Sequence, residues 1–161
     1  MTIRLGILLG AIALVGLSAC ATSVSGPSAS AELQERSGSS VSGRVSRVET
    51  SGGLRVEAQV AGLSPGEHGF HVHEVGDCSA PDASSAKGHF NPAGKAHGHH
   101  ASSERHGGDM PNLVANAAGE ARFSGVVSGL TLSSLNGVVG RSVVIHADLD
   151  DYISQPAGNS G

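Results

Sequence analysis

The chain is poor in aromatic side chains, with no tryptophan, one tyrosine and three phenylalanines among its 161 residues. A core with so few rings has to use small aliphatic and β-branched side chains, which suit short strands joined by glycine-bearing turns. The length favours one domain rather than two. No GxGxxG loop, phosphate-binding loop or heptad repeat occurs, so nothing predicts a nucleotide-binding or coiled-coil protein.

Basic residues are also scarce. Ten lysines and arginines stand against 14 acidic residues, which gives a formal net charge of −4, and no basic run occurs. Phosphate backbones bind to concentrated positive charge. We therefore expect no nucleic-acid partner.

One long apolar run, Leu5 to Leu17, follows Arg4 near the N-terminus. Its length is that of a secretory signal rather than of a membrane-spanning helix. The run closes on Leu17-Ser18-Ala19-Cys20, which resembles a bacterial lipoprotein cleavage box. We predict a signal peptide over 1–19, a lipidated Cys20 that anchors an exported protein to a membrane of the bacterial cell envelope, and a flexible tether over 20–40. Alternatively, Cys20 is an ordinary cysteine at the end of the signal.

Short strands are predicted from residue 41 onward, in one all-β domain over 41–161. Apolar residues alternate with polar ones over 54–60, and a hairpin turn at 51–53 separates this strand from another near 41–48. Further strands are predicted over 121–127 and 142–146. Residues 74–118 form long loops rich in Gly, Asp and Asn. Loops of that length in a compact domain are usually functional.

Nine histidines are present, and most of them lie in or beside these loops. His71 and His73 are two residues apart, so both project from one face of a strand and can reach the same ion. Six histidines and one aspartate are the candidate ligands: His71, His73, His89, His97, His106, Asp109 and His146. Zinc favours tetrahedral nitrogen and oxygen ligands, whereas copper(II) accepts four imidazoles in a tetragonal arrangement. Six histidines serve both ions only if one is shared.

Several motifs carry a resemblance to a known family. They are His71-Val72-His73-Glu74, Gly88-His89-Phe90-Asn91-Pro92, the spacing of His97, His106 and Asp109, and the segment from Gly140 to His146. In this order they resemble the copper,zinc superoxide dismutase family over residues 41–161, in its bacterial lipoprotein form. The resemblance implies a Greek-key β-sandwich, a flattened immunoglobulin-like barrel, with long metal-binding loops.

The same resemblance implies two cofactors, copper and zinc, and a role for each ligand. Copper would be held by His71, His73, His89 and His146, and zinc by His89, His97, His106 and Asp109. His89 would be the catalytic residue, bridging the ions and carrying a proton. Asp150 would accept hydrogen bonds from His71 and His97 and fix their tautomers. The implied reaction is disproportionation of superoxide to dioxygen and hydrogen peroxide, protecting the cell envelope.

Two departures from the family's pattern concern the end of the sequence. In the family, the sequence that resembles 155–161 continues into a final strand with an arginine beside copper and a cysteine that pairs with a loop cysteine. Because the sequence given ends at Gly161, we expect that strand to be absent, Cys78 to be an unpaired thiol, and activity to be weakened. An exposed sheet edge also favours association, so a homodimer is possible.

The alternative function is a catalytically weakened copper- and zinc-binding envelope protein. Three histidines, His68, His99 and His100, match no ligand position, and we predict that they lie exposed in loops. The alternative for this histidine set is auxiliary copper capture beside the zinc loop.

Overall fold

The computed structural model describes residues 26–160, whose regular secondary structure consists almost entirely of antiparallel strands. The eight strands are β1 (Ser28–Leu33), β2 (Ser42–Thr50), β3 (Gly53–Ala61), β4 (Gly66–His68), β5 (Phe70–His73), β6 (Leu113–Ala115), β7 (Ala121–Val127) and β8 (Ser142–Ile145). A 3-10 turn over Ser84–Ala86 is the one helical element of this region. The prediction of an all-β sandwich is confirmed.

The strands form two sheets. One has six strands in the order β1-β2-β3-β7-β6-β4, and the other pairs β5 with β8. Strands β2 and β3 form a hairpin in which Thr50 lies opposite Gly53, as the turn at 51–53 predicts. On β3 every second residue is buried, because successive side chains point to opposite faces of a sheet.

The core consists mainly of valine and leucine, with two of the three phenylalanines. Phe70 and Phe90 are buried, and Phe70 meets the half-buried Phe123 edge to face, with ring centroids 6.0 Å apart. The core therefore lies between the six-stranded sheet and the β5–β8 pair, on which two of the predicted ligands sit.

Part of the segment predicted as a flexible tether over residues 20–40 forms a strand. Ser28–Leu33 form β1, which pairs with β2 so that Ala31 lies opposite Val45. Serines and alanines in this segment contribute little side-chain burial, but their backbone groups complete the ladder with β2, and the alternate residues from Ala29 to Leu33 are half buried. The predicted signal peptide and Cys20 lie outside the described residues. Within 26–160, no helix is long and apolar enough to cross a membrane.

One core position is occupied by a charged residue. Val45 and Arg47 both face inward on β2, and Arg47 is only 5% exposed. Its Nε has no hydrogen-bond partner among the described residues. Burial lowers the pKa of Arg47 to about 10. The inward-facing residue at this end of β2 is therefore Arg47, whereas its neighbour Val48 is half buried.

Candidate metal centre

The β5–β8 pair positions three of the seven predicted ligands. His71 and His73 lie on β5, where they oppose Val144 and Ser142 of β8. His146 follows β8 directly, and its main-chain N–H donates to the carbonyl of Gly69 at 2.9 Å. The pairing of two short strands therefore brings ligands separated by more than 70 residues of sequence to one place.

The long loop returns to β5 through backbone bridges. His73 pairs with His89, and His71 pairs with Asp109, each across a single β-bridge. The N–H of Val72 donates to the carbonyl of Gly108 at 3.0 Å. A side chain at position 108 would overlap the carbonyl oxygen of Val72, so the close approach of the loop requires glycine here.

These connections bring all seven predicted ligands into two adjoining groups. In each group the candidate ligand atoms lie within 4.8 Å of one another. The first group is His71, His73, His89 and His146, and the second is His89, His97, His106 and Asp109. His89 belongs to both. Every member is buried except His146, which is half buried.

The orientation of the imidazoles leaves ring nitrogens aimed into the groups. Seven buried side-chain nitrogens have no hydrogen-bond partner among residues 26–160, and four of them belong to the candidate ligands: Nδ1 of His71, Nε2 of His89, Nδ1 of His97 and Nδ1 of His106. His73 donates from Nδ1 to the carbonyl of Lys87 at 2.7 Å, so its Nε2 remains for the first group, 3.3 Å from Nε2 of His146. Buried polar atoms in folded proteins are normally satisfied.

The second group contains a further sign of a cation site. His97 donates from Nε2 to Asp150, so its Nδ1 carries a lone pair, and this lone pair faces Asp109 Oδ2 at 3.1 Å. Asp109 Oδ1 is 3.0 Å from Nδ1 of His89 and 3.5 Å from Nδ1 of His106. The His97 lone pair and the Asp109 carboxylate repel each other unless a positive charge lies between them. Three imidazoles and one carboxylate are also a donor set that zinc accepts, so the residues present fit a metal ion.

Asp150 connects the two groups through hydrogen bonds to one histidine of each. Its Oδ2 accepts a hydrogen bond from Nε2 of His71, and its Oδ1 accepts one from Nε2 of His97, both at 2.8 Å and with all three side chains fully buried. The N–H of Tyr152 donates to Oδ1 at 2.6 Å. With Nε2 protonated in each ring, Nδ1 of His71 and Nδ1 of His97 are the nitrogens free to bind a metal.

The protonation states suit metal binding. Burial lowers the pKa of His71 to about 4 and that of His73 to about 3, so both rings are neutral at pH 7. Burial alone would raise the pKa of Asp109, but the adjacent His106 and His89 side chains outweigh it and hold this pKa well below its usual value. In the same way, hydrogen bonds from His71, Tyr152 and His97 overcome burial and lower the pKa of Asp150 to about 2. Neutral imidazoles and ionised carboxylates are the forms that bind metals.

The prediction that His68 lies exposed in a loop is wrong. This residue is 3% exposed at the end of β4, with Nδ1 2.8 Å from the carbonyl of His146 and Nε2 2.9 Å from the carbonyl of Ser64. It therefore holds the backbone of a candidate ligand. His99 is exposed as predicted, whereas His100 is half buried, and the two rings lie 4.0 Å apart beside Tyr152. Cys78 is a half-buried free thiol.

Sequence reasoning also missed two side-chain amides near Asp150. Asn112 bonds to the backbone of Asp150, and Gln155 bonds to the backbone of His97. Their amide groups carry no signal of this role in the sequence, because the contacts join segments 38 and 58 residues apart.

Comparison with known proteins gives a consistent result. The family model for copper/zinc superoxide dismutase (SODC) matches residues 41–161. A superoxide dismutase (Cu-Zn) of Deinococcus radiodurans is 40% identical over 159 residues, which cover 91% of this chain and 86% of that protein. A superoxide dismutase (Cu-Zn) 2 of Aquifex aeolicus is 42% identical over 83% of this chain and 81% of that protein.

Solved structures agree with these relatives. The crystal structure of the clock protein EA4 superposes with a TM-score of 0.74 at 35% identity, covering 83% of this chain and 87% of that one. A SOD-like protein from Bacillus subtilis superposes with a TM-score of 0.69 at 35% identity, covering 74% of this chain and 83% of that one. The β-sandwich and its loops are therefore similar in fold to both.

Proposed function

Because the chain belongs to the copper/zinc superoxide dismutase family, we propose that its two ligand groups hold one copper ion and one zinc ion that share the His89 imidazole. The observation that carries this proposal is the membership of His89 in both groups. Its Nδ1 faces the carboxylate of Asp109, while its Nε2 has no hydrogen-bond partner among the described residues and points to the other group. One ring thus offers a nitrogen to each side.

The donor sets assign the two ions. The group with Asp109 combines three imidazole nitrogens with one carboxylate oxygen, which matches tetrahedral zinc. The group of His71, His73, His89 and His146 offers four nitrogens and no oxygen, which matches copper(II).

The protein is a superoxide dismutase, an oxidoreductase that converts two superoxide anions and two protons into dioxygen and hydrogen peroxide. Copper supplies the one-electron exchange when bound, so that one superoxide anion loses an electron and leaves as dioxygen while a second gains it and leaves as peroxide. Zinc has no redox chemistry and, when bound, would contribute positive charge that orders the shared imidazole.

The chain's own residues prepare this exchange. His71 and His73 are kept neutral by burial, so their nitrogens are available as ligands at pH 7. Asp150 accepts hydrogen bonds from Nε2 of His71 and of His97. These hydrogen bonds keep the proton of each neutral ring on Nε2 and leave Nδ1 available as the ligand nitrogen. His89 would take a proton from water at Nε2 and pass it to the departing peroxide as a general acid, and water would supply the second proton.

We place this activity in the bacterial cell envelope, where it would protect the cell surface from superoxide. The apolar run over 5–17 and the sequence Leu17-Ser18-Ala19-Cys20 support export and lipidation of Cys20. Incorporation of labelled palmitate into the full chain, and its loss in Cys20→Ala, would test the anchor. An unlabelled membrane-free protein would contradict it.

The direct test of the function loads the full chain with copper and zinc. Metal analysis is expected to give one of each ion per chain, and superoxide consumption should accompany the copper content. His89→Ala is expected to lower turnover by about 10²-fold or more, because it removes both the bridge and the proton carrier. His99→Ala is the matched control, since His99 is an exposed histidine outside both groups.

Two results would contradict the proposal. A fully loaded wild type that consumes no superoxide would leave a metal-binding envelope protein as the function. An equal turnover for wild type and His89→Ala would remove the shared imidazole from the mechanism.

A further inference from the structure

Two side-chain amides hold the backbone on either side of the Asp150 bridge. Gln155 bonds to His97, and Asn112 bonds to Asp150. Neither residue is charged, and neither belongs to a candidate ligand group. If the backbone that either amide holds were displaced, the second ligand group would shift with it, because His97 donates from Nε2 to Asp150 Oδ1 at 2.8 Å.

Gln155 satisfies both main-chain groups of one candidate ligand. Its Oε1 accepts a hydrogen bond from the N–H of His97 at 2.9 Å, and its Nε2 donates to the carbonyl of the same residue at 2.9 Å. His97 lies in a loop rather than on a strand, so no sheet ladder fixes its backbone. The amide of Gln155 takes the place that a neighbouring strand would have.

The segment from Asp150 to Gln155 therefore grips His97 twice. Asp150 holds the imidazole through Nε2, and Gln155 holds the main chain. Gly158 lies directly against the His97–Asp150 pair, so closely that a side chain at this position would overlap the Asp150 carboxylate. Ring and backbone are thus fixed by one short stretch of chain, and together they set the direction of Nδ1 of His97 toward Asp109.

Asn112 anchors that stretch to the sheet. It accepts from the N–H of Asp150 at 3.1 Å and donates to the carbonyl of Asp150 at 3.0 Å. Its own N–H donates to the Tyr152 hydroxyl at 2.8 Å. Asn112 immediately precedes β6 (Leu113–Ala115). The sheet therefore fixes the position of Asp150, the first residue of the segment that contacts His97.

We propose that Gln155 is a positioning residue of the metal centre, which orients His97 through its backbone and so slows the release of zinc. The inference rests on the proposed function, in which His97 is a zinc ligand. Removing the amide leaves all four ligand side chains in place but frees the main chain of one. Loss of groups that orient metal ligands typically costs about 10–100-fold in metal affinity. Because Gln155 acts on a single ligand, we expect the lower end of that range.

The experiment compares the full-length wild type with Gln155→Ala, Gln155→Glu and Gln59→Ala. Gln59→Ala is the matched control, because Gln59 is exposed on β3 and lies outside the centre. The first readout is the rate at which zinc passes from each folded protein to a chromogenic chelator. The second is the visible spectrum of cobalt(II) bound in the zinc position, which reports the tetrahedral geometry of the ligands.

Gln155→Ala is expected to release zinc about 10-fold faster than wild type and to shift the cobalt bands. Gln155→Glu keeps the oxygen that accepts from His97 N–H but sets a second acceptor against the His97 carbonyl, so it should also release zinc faster than wild type. It also serves as the test if Gln155→Ala does not fold. Gln59→Ala should match wild type in both readouts.

Two outcomes would overturn the inference, and they are distinguishable. If Gln155→Ala and Gln155→Glu lower only the thermal midpoint of the metal-free protein, while zinc release and the cobalt spectrum stay at wild-type values, Gln155 has a structural role alone. If the wild type takes up neither zinc nor cobalt, the proposed metal site fails, and this inference fails with it.

Discussion

Replacing Asp150 with asparagine tests how one carboxylate serves two imidazoles. Asp150 uses Oδ2 for His71 and Oδ1 for His97, each at 2.8 Å. Asparagine has almost the same shape but only one acceptor oxygen. Its NH2 group therefore has to face one of the two rings, and that ring can avoid a donor–donor contact only by moving its own proton from Nε2 to Nδ1. A ring with a proton on Nδ1 cannot bind a metal through that atom.

The magnitude follows from the hydrogen bond that is lost. A hydrogen bond to a charged group contributes about 1.5–3 kcal/mol, and each 1.4 kcal/mol is about tenfold in an equilibrium constant. All three side chains are fully buried, so water cannot replace the missing acceptor. We expect Asp150→Asn to lose about 10–100-fold in affinity at one of the two metal positions, in agreement with the usual effect of groups that orient ligands.

Competition titration with chromogenic chelators, run for copper and for zinc in turn, measures both affinities. Asp148→Asn is the matched control, because it removes the same charge from an exposed position two residues away. Asp150→Ala should weaken both positions, since both rings then lose their acceptor. If Asp150→Asn keeps both affinities within about threefold of wild type, the tautomer argument is wrong.

The metal-free protein supports further predictions, all measured by urea unfolding. Arg47→Met should raise the free energy of unfolding by about 1–3 kcal/mol, because burying the charged guanidinium is unfavourable, as its pKa of about 10 shows, and an apolar side chain avoids that desolvation cost. In the control, Arg44→Met at an exposed position should change the free energy of unfolding by less than about 1 kcal/mol. A destabilised Arg47→Met would contradict this prediction. The free energy of unfolding should be highest above pH 6.5 and fall as the pH drops toward 4. His71 and His73 have pKa values of about 4 and about 3 in the folded protein against 6.5 when unfolded, so the unfolded chain binds more protons in this range. His71 alone should account for a loss of about 3 kcal/mol, and a free energy of unfolding that does not change between these pH values would contradict the prediction. Gly108→Ala should lower the free energy of unfolding by about 1–3 kcal/mol, because the added methyl group would overlap the Val72 carbonyl. Gly88→Ala is the control and should be tolerated, because no atom lies near the added methyl group. Equal stabilities of the two variants would show that the loop can shift to make room.

The longer strands could be predicted from the sequence because their patterns are regular. On β3 the alternation of Leu54, Val56, Ala58 and Val60 with polar residues matches the buried face. The strand β1 could not be predicted, because its serines and alanines have the composition of a linker and its order comes from pairing with β2. The strands β4 and β6 have three residues each, too few to show a period.

The candidate ligands could be predicted because their chemistry and their order in the chain are both distinctive. The seven residues fall into two groups that share His89, as the resemblance implies. His68, Asn112 and Gln155 could not be predicted as parts of the centre. Each acts on the backbone of a residue at least 38 positions away, and only the folded chain brings them into contact.

The arrangement of two ions around His89 is the central claim, and anomalous diffraction from crystals of the copper- and zinc-loaded protein tests it most directly. Data collected at the copper and zinc absorption edges should place copper among His71, His73, His89 and His146, and zinc among His89, His97, His106 and Asp109, with the His89 ring between the two peaks. A single ion, or two ions bound by groups that do not share His89, would contradict the account.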